Sequence, residues 1–326
     1  MMPRGKIDVH AHYLPEVYRE ALVTAGQARP DGIPGLPDWD EELAVAAMDN
    51  LGVRLAVLSI SSPGVHFGDA AAAVALARAV NESGAKLTRA RPERFGFFAA
   101  LPLPEIDAAV AEARYALDQL GAAGVSLLTN YRGIYLGDRR LEPVFAEVAA
   151  RDAVVFVHPT SPPKSAGGLG FAAPMLEFMF ETTRAVTDVV LAGVLRRHPN
   201  LKVIVPHAGA VLPVLANRVD MMAPLLAHAG GEAELPSLRA ALKMLYFDLA
   251  GAPVEEQLAA LLSVADPARL LYGSDFPFTP WQGCHYLAQQ LEASSQMDDT
   301  ARDGVFTDNA AALFGAAGAP TPKESW

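Results

Sequence analysis

The sequence predicts an α/β fold: a (β/α)8 TIM barrel with long loops on its C-terminal face. Three observations predict it. Short apolar, β-rich runs recur eight times along the 326 residues. Amphipathic helical stretches separate them. No glycine-rich fingerprint follows the first run, as a dinucleotide-binding doubly wound sheet would require.

In chain order, the strands fall at Ile7–His12, Leu55–Ser61, Phe95–Leu101, Gly124–Asn130, Val154–Thr160, Lys202–Gly209, Leu245–Ala250 and Leu270–Pro277. Several are nearly continuous in apolar character, as strands buried on both faces of a parallel sheet must be. Helices are expected at Glu41–Leu51, Asp69–Ala90, Ile106–Leu120, Leu141–Arg151, Met175–His198 and Val254–Ala265. Three connections are longer than an ordinary strand-to-helix loop. Tyr13–Asp40 and Ser161–Pro174 follow strands one and five directly, so in a barrel they rise from the C-terminal face, where lids and specificity loops belong. Pro213–Leu242 reads as a helical excursion after strand six. Residues 1–314 form one domain, and the small-residue, proline-rich Gly315–Trp326 forms a tail.

Composition narrows the function. A hydrophobic content of 51% supplies a large core, and a net charge of −11 argues against a nucleic-acid partner, which selects for a basic face. No apolar run reaches the roughly 18 residues that cross a bilayer. No signal peptide is visible before strand one, and the single Cys284 excludes an intramolecular disulfide framework. Both features fit a reducing cytoplasm.

The chemistry is concentrated at strand ends. His10 and His12 close strand one, and residues i and i+2 of a strand share a face. Two imidazoles aimed at one point form a chelating pair. The ends of strands five, six and eight add His158, His207 and Asp275, so four of the eight histidines fall on one face of the barrel. Three neutral imidazoles and one carboxylate suit a single Zn²⁺, or alternatively Mn²⁺, with a position open to water or substrate. His66, on the loop after strand two, faces the same bowl. Asp248 ends strand seven and reads equally as a site contact or a structural hydrogen bond. Asp8 is assigned to support of the barrel, facing away from the histidine pair. His198 caps a helix end before Pro199, His228 is a solvated residue of the excursion, and His285 is divided between support of the site and a structural place.

Four segments carry a resemblance: Asp8-Val9-His10-Ala11-His12-Tyr13-Leu14-Pro15, Val157-His158-Pro159-Thr160, His207-Ala208-Gly209 and Tyr272-Gly273-Ser274-Asp275-Phe276-Pro277. Together they resemble the amidohydrolase superfamily, within it the amidohydrolase-2 group of aminocarboxymuconate-semialdehyde decarboxylase. Gly96-Phe97-Phe98-Ala99-Ala100-Leu101-Pro102, Glu181-Thr182-Thr183-Arg184-Ala185 and Phe247-Asp248-Leu249-Ala250 look like the 6-methylsalicylate decarboxylase branch. The resemblance implies one divalent metal on His10, His12, His158 and Asp275, with His207 activating a water or handling a proton. It also implies nonoxidative decarboxylation without an organic cofactor, in a homodimer. One departure stands out. The group's arginine shortly before a Trp-Asp pair, here Trp39-Asp40, has no counterpart in Ile33–Asp38, and Arg29 lies further upstream. No lysine ends strand four, which argues against a binuclear, carbamylated-lysine site.

The expected substrate is therefore a small hydroxylated aromatic or related unsaturated carboxylic acid. Asp275 and His207 would handle the proton while the metal chelates the acid. His66, Arg184, Phe278 and Trp281 are the candidate substrate contacts, with core packing the alternative for the aromatic pair. The same ligands would also serve a hydrolase acting on a lactone, amide or C–C bond through a metal-activated water.

Overall fold

Eight parallel strands, β1 Lys6–His12, β2 Val53–Ser59, β3 Phe95–Ala100, β4 Gly124–Leu128, β5 Val154–His158, β6 Lys202–Val205, β7 Tyr246–Asp248 and β8 Leu270–Leu271, each pair with the next in sequence order. The ring closes between β8 and β1. Val9 N–H donates to Tyr272 O at 3.0 Å, Asp275 N–H to His10 O at 2.7 Å and His12 N–H to Phe276 O at 2.7 Å. This computed structural model describes residues 5–163, 169–226, 235–251 and 255–315. Among the described residues no helix is long and apolar enough to cross a membrane.

Two apolar layers hold the barrel. Ile7, Val9, Leu55, Val57, Phe98, Val154, Phe156, Ile204 and Leu271 fill its interior. The bottom is plugged by the helix Asn309–Phe314, whose Ala310 and Leu313 join that cluster. The second, larger layer lies between strands and outer helices and includes Ala11, Ala56, Leu58, Val80 and Phe97. Helices begin where the sequence supplies caps. Asp69 accepts from Ala72 N–H at 2.8 Å at the head of Ala70–Ala90, and Asp40 does the same for Leu43 N–H at the head of Glu41–Leu51. Each such cap contributes about 1 kcal/mol.

One irregularity positions the site. Asp8 pairs with Ala56, but Ala11 pairs with Leu58, so β1 carries one extra residue against β2. Without that bulge, strict alternation would put Ile7 and Val9 inside the barrel and both histidines outside. With it, Ile7 and Val9 stay in the interior cluster, while His10 and His12 also turn inward above them. Asp8 faces the outer layer beside Ala56. Bulges re-aim side chains in this way.

The later strands are shorter than their apolar runs. β5 stops at His158 because Pro159 has no N–H for the ladder. β6 stops before Pro206, and His207, Ala208, Gly209 and Ala210 all take positive φ. β8 keeps two residues; beyond it the chain folds over His10, with Asp275 at φ +60. The expected helix Met175–His198 divides at Gly193 (φ +73) into Glu177–Leu191 and Val194–Arg197. The Tyr13–Asp40 connection contains a helix, Glu16–Thr24, anchored by buried Tyr18 and Leu22. A two-stranded hairpin, Asn130–Tyr131 with Ile134–Tyr135, follows β4 where the apolar run suggested only strand. His228 and the tail beyond Gly315 lie outside the described residues.

Candidate metal centre

Three histidines at the mouth of the barrel, His10, His12 and His158, are each oriented by Nδ1. His10 Nδ1 lies 3.0 Å from Asp248 Oδ2, His12 Nδ1 3.2 Å from Ser59 O, and His158 Nδ1 2.7 Å from Pro159 O. Carboxylates and carbonyls only accept, so all three Nδ1 atoms carry the proton. The three Nε2 lone pairs are left to converge. They meet Asp275, and the four ligand atoms all lie within 4.8 Å of one another.

The converging atoms call for a cation. His12 Nε2 stands 3.1 Å from Asp275 Oδ1, and His10 Nε2 stands 3.6 Å from it. With the imidazole proton on Nδ1 and the carboxylate ionised, neither His12 Nε2 nor Asp275 Oδ1 has a hydrogen to share. His10 Nε2 is buried and lacks any hydrogen-bond partner. Buried acceptors facing acceptors are costly unless a positive charge sits between them. The donor set fits a single divalent metal ion.

Electrostatics agree with that reading. Burial lowers the pKa of His12 and drives that of His158 well down, so both stay neutral. Burial works against Asp275 ionising, yet the close approach of His12 and the charge of His10 hold it well below the usual carboxylate range. His10 differs: burial pulls it down, but the charge and hydrogen bond of Asp248 push it up to about 9. A cation on Nε2 takes the place of that second proton, the usual competition between metal and proton.

His207 stands just outside the four-ligand set. Its Nε2 is 4.0 Å from Asp275 Oδ2, and its ring centroid is 5.1 Å from that of His10. Burial pushes its pKa down to about 4, so it is a neutral base at pH 7. Its backbone, in the left-handed region at φ +56, is held by Asp248 Oδ1, which accepts His207 N–H at 3.1 Å. Asp248 thus orients His10 through one oxygen and His207 through the other. Sequence reasoning left its role open, because a carboxylate at a strand end serves either purpose. Gly273 has a steric role: a Cβ there would lie 2.8 Å from His10 Cβ.

Beside the centre lies a cavity of about 750 Å³. Its walls are the loops after β2, β3, β4 and β5, including Val65, Leu101, Leu128 and Thr160. Ser61, next in sequence to the wall residue Ile60, has its Oγ 3.5 Å from His158 Nε2. His66 lines the cavity. Phe278 sets its ring edge-on to His12, with centroids 5.4 Å apart. Arg184 turns to Glu181, 2.6 Å away, on their shared helix. Trp281 starts the helix Trp281–Ala293 and is half-exposed. His198 bonds Glu142 at 2.8 Å, and His285 is exposed. The hairpin after β4 and the buried Glu181 that holds it were missed by sequence reasoning.

A closed parallel barrel with three imidazole lone pairs and one carboxylate at its C-terminal face defines a metal-dependent barrel enzyme with a single-ion centre. The chain belongs to the amidohydrolase family Amidohydro_2, which matches residues 7–316. It is 38% identical over 317 residues to a 6-methylsalicylic acid decarboxylase of Aspergillus aculeatus, covering 95% of this chain and 96% of that one. Among solved structures, an amidohydrolase II shares 38% identity and superposes with a TM-score of 0.88, covering 95% of this chain and 99% of the other. The 5-carboxyvanillate decarboxylase of Novosphingobium aromaticivorans, complexed with manganese and 4-hydroxy-3-methoxy-5-nitrobenzoic acid, shares the fold at 21% identity and a TM-score of 0.84, with 96% of each chain covered.

Proposed function

We propose that the protein is a carboxy-lyase: a metal-dependent nonoxidative decarboxylase of a hydroxylated aromatic carboxylic acid. The observation that carries this reading is the His10, His12, His158 and Asp275 centre, with a cavity of about 750 Å³ nearby, in a chain so similar to a 6-methylsalicylic acid decarboxylase over nearly its whole length. The hydrolase alternative uses the same ligands, but the similarity to a 6-methylsalicylic acid decarboxylase favours decarboxylation.

A divalent ion held by those four residues supplies Lewis acidity toward the substrate carboxylate and its neighbouring hydroxyl. The protein's own groups manage the proton. Asp275, ionised, takes the hydroxyl proton and returns it to the ring carbon that bears the carboxylate. The C–C bond then breaks, its electron pair restores the aromatic ring, and CO₂ leaves. His207, neutral and 4.0 Å from Asp275, holds or relays the proton between these steps. Phe278, beside His12, packs on the ring, and His66 contacts it from the cavity wall. Trp281 and Arg184 are assigned to the outer edge of the substrate site.

For the ion, zinc suits the histidine-rich set and manganese is the alternative. The manganese complex of a fold neighbour supports keeping both. We further assign the protein to the cytoplasm as a homodimer without organic cofactor. Leu169, Phe171 and Met175, 69%, 67% and 73% exposed on one loop after β5, form an apolar surface that a second copy would cover. The test of function is CO₂ release by purified, metal-loaded protein from a panel of salicylate-type acids. Release from at least one acid is expected; release from none overturns the reading.

A further inference from the structure

The hairpin after β4 is clamped to a fully buried carboxylate. Asn130 and Tyr135 face each other in register. Both donate to Glu181: Asn130 Nδ2 at 2.9 Å, and Tyr135 O–H at 2.9 and 3.0 Å to its two oxygens. Arg184 Nη1 closes the third side at 2.6 Å. Asn130 Oδ1 also takes the N–H of Gly133 at 3.1 Å, so the turn is tied to its own base.

At the tip of this rigid hairpin, Arg132 and Gly133 have φ +55 and +88. Two-residue turns of that geometry ordinarily carry Asn-Gly, because non-glycine side chains resist the left-handed region. An arginine there is not explained by the turn. Arg132 lines the 750 Å³ cavity, and among the described residues lining it Arg132 is the one Lys or Arg. It makes no ion pair among the described residues, and unlike Arg54 and Arg89, which also make none, it lines the cavity. In a chain of net charge −11, an anion approaching the bowl needs a local positive potential.

We propose that Arg132 is the anion receptor at the mouth of the cavity, its guanidinium engaging the carboxylate of an incoming aromatic acid, and that Glu181 holds it there through the hairpin. The proposal rests on the reading of the substrate as an anionic aromatic acid. Its test is calorimetric binding of salicylate to the metal-loaded protein, which needs no turnover and so separates this claim from decarboxylation itself. Arg132→Asn suits the turn and keeps it folded, yet should weaken binding about tenfold. It should also flatten the dependence of affinity on salt. Arg132→Lys should recover most of the affinity. Equal affinity and equal salt dependence in Arg132→Asn and the parent protein overturn the proposal, as does a parent protein that does not bind salicylate.

Discussion

Asp248 Oδ2 lies 3.0 Å from His10 Nδ1 with both side chains fully buried, and Oδ1 of the same carboxylate receives the backbone N–H groups of His207 and Ala250. One carboxylate therefore fixes a candidate metal ligand, the backbone of His207 and the end of β7.

Replacing Asp248 by Ala leaves three buried N–H groups unpaired. Breaking a buried charged pair costs about 3–5 kcal/mol, and loss of the partner behind a ligating histidine lowers metal affinity roughly 10- to 100-fold. Chemical denaturation and competition with a chromogenic chelator read the two effects separately. Unchanged affinity in a folded variant would remove Asp248 from the site.

Gly273→Ala tests geometry without altering any ligand. Its new Cβ would sit 2.8 Å from His10 Cβ, and backbone holds both residues. The expected outcome is a folded protein that binds metal more weakly, because His10 must shift. Metal affinity equal to that of the parent protein would show that β1 yields at no expense to the centre.

His207→Gln separates proton handling from ligation. Metal content, measured by elemental analysis, should stay at one ion per chain, while turnover falls by about 10²- to 10⁴-fold, the usual contribution of a positioned acid–base group. Loss of the metal instead would make His207 a ligand.

Stripping the ion should lower the melting temperature as well as stop turnover. Saturating metal at 100 times its dissociation constant stabilises the folded chain by about 2.7 kcal/mol through mass action. Thermal melts with and without added Zn²⁺ or Mn²⁺ measure this, and the ion that also restores turnover identifies the working metal. A melting temperature indifferent to both ions would contradict the centre described here.

Barrel strands and strand-end histidines were legible because they obey short-range rules: apolar runs bounded by turn residues, with polar residues at their C-terminal ends. His158 and Asp275 meet His10 and His12 because parallel strands of one barrel end on the same face. The bulge in β1 was not legible, since Ile7–His12 reads as an uninterrupted strand and only the register against β2 reveals the extra residue. The same limit hid the clamp on Glu181. Its partners Asn130 and Tyr135 lie about 50 residues away in sequence, and nothing local marks a glutamate that will be fully buried. Arg132-Gly133 does carry a turn signal in its glycine, but it lies beyond the strand expected at Gly124–Asn130, and nothing local shows that a second strand returns from it.

The central claim is that this centre removes a carboxyl group and does not hydrolyse a bond. Turnover of 6-methylsalicylate or a related acid in ¹⁸O-labelled water tests it most directly. The account predicts one CO₂ released per acid consumed and an aromatic product that carries no oxygen from water. Labelled oxygen in a product carboxylate, with no CO₂ released, would contradict it.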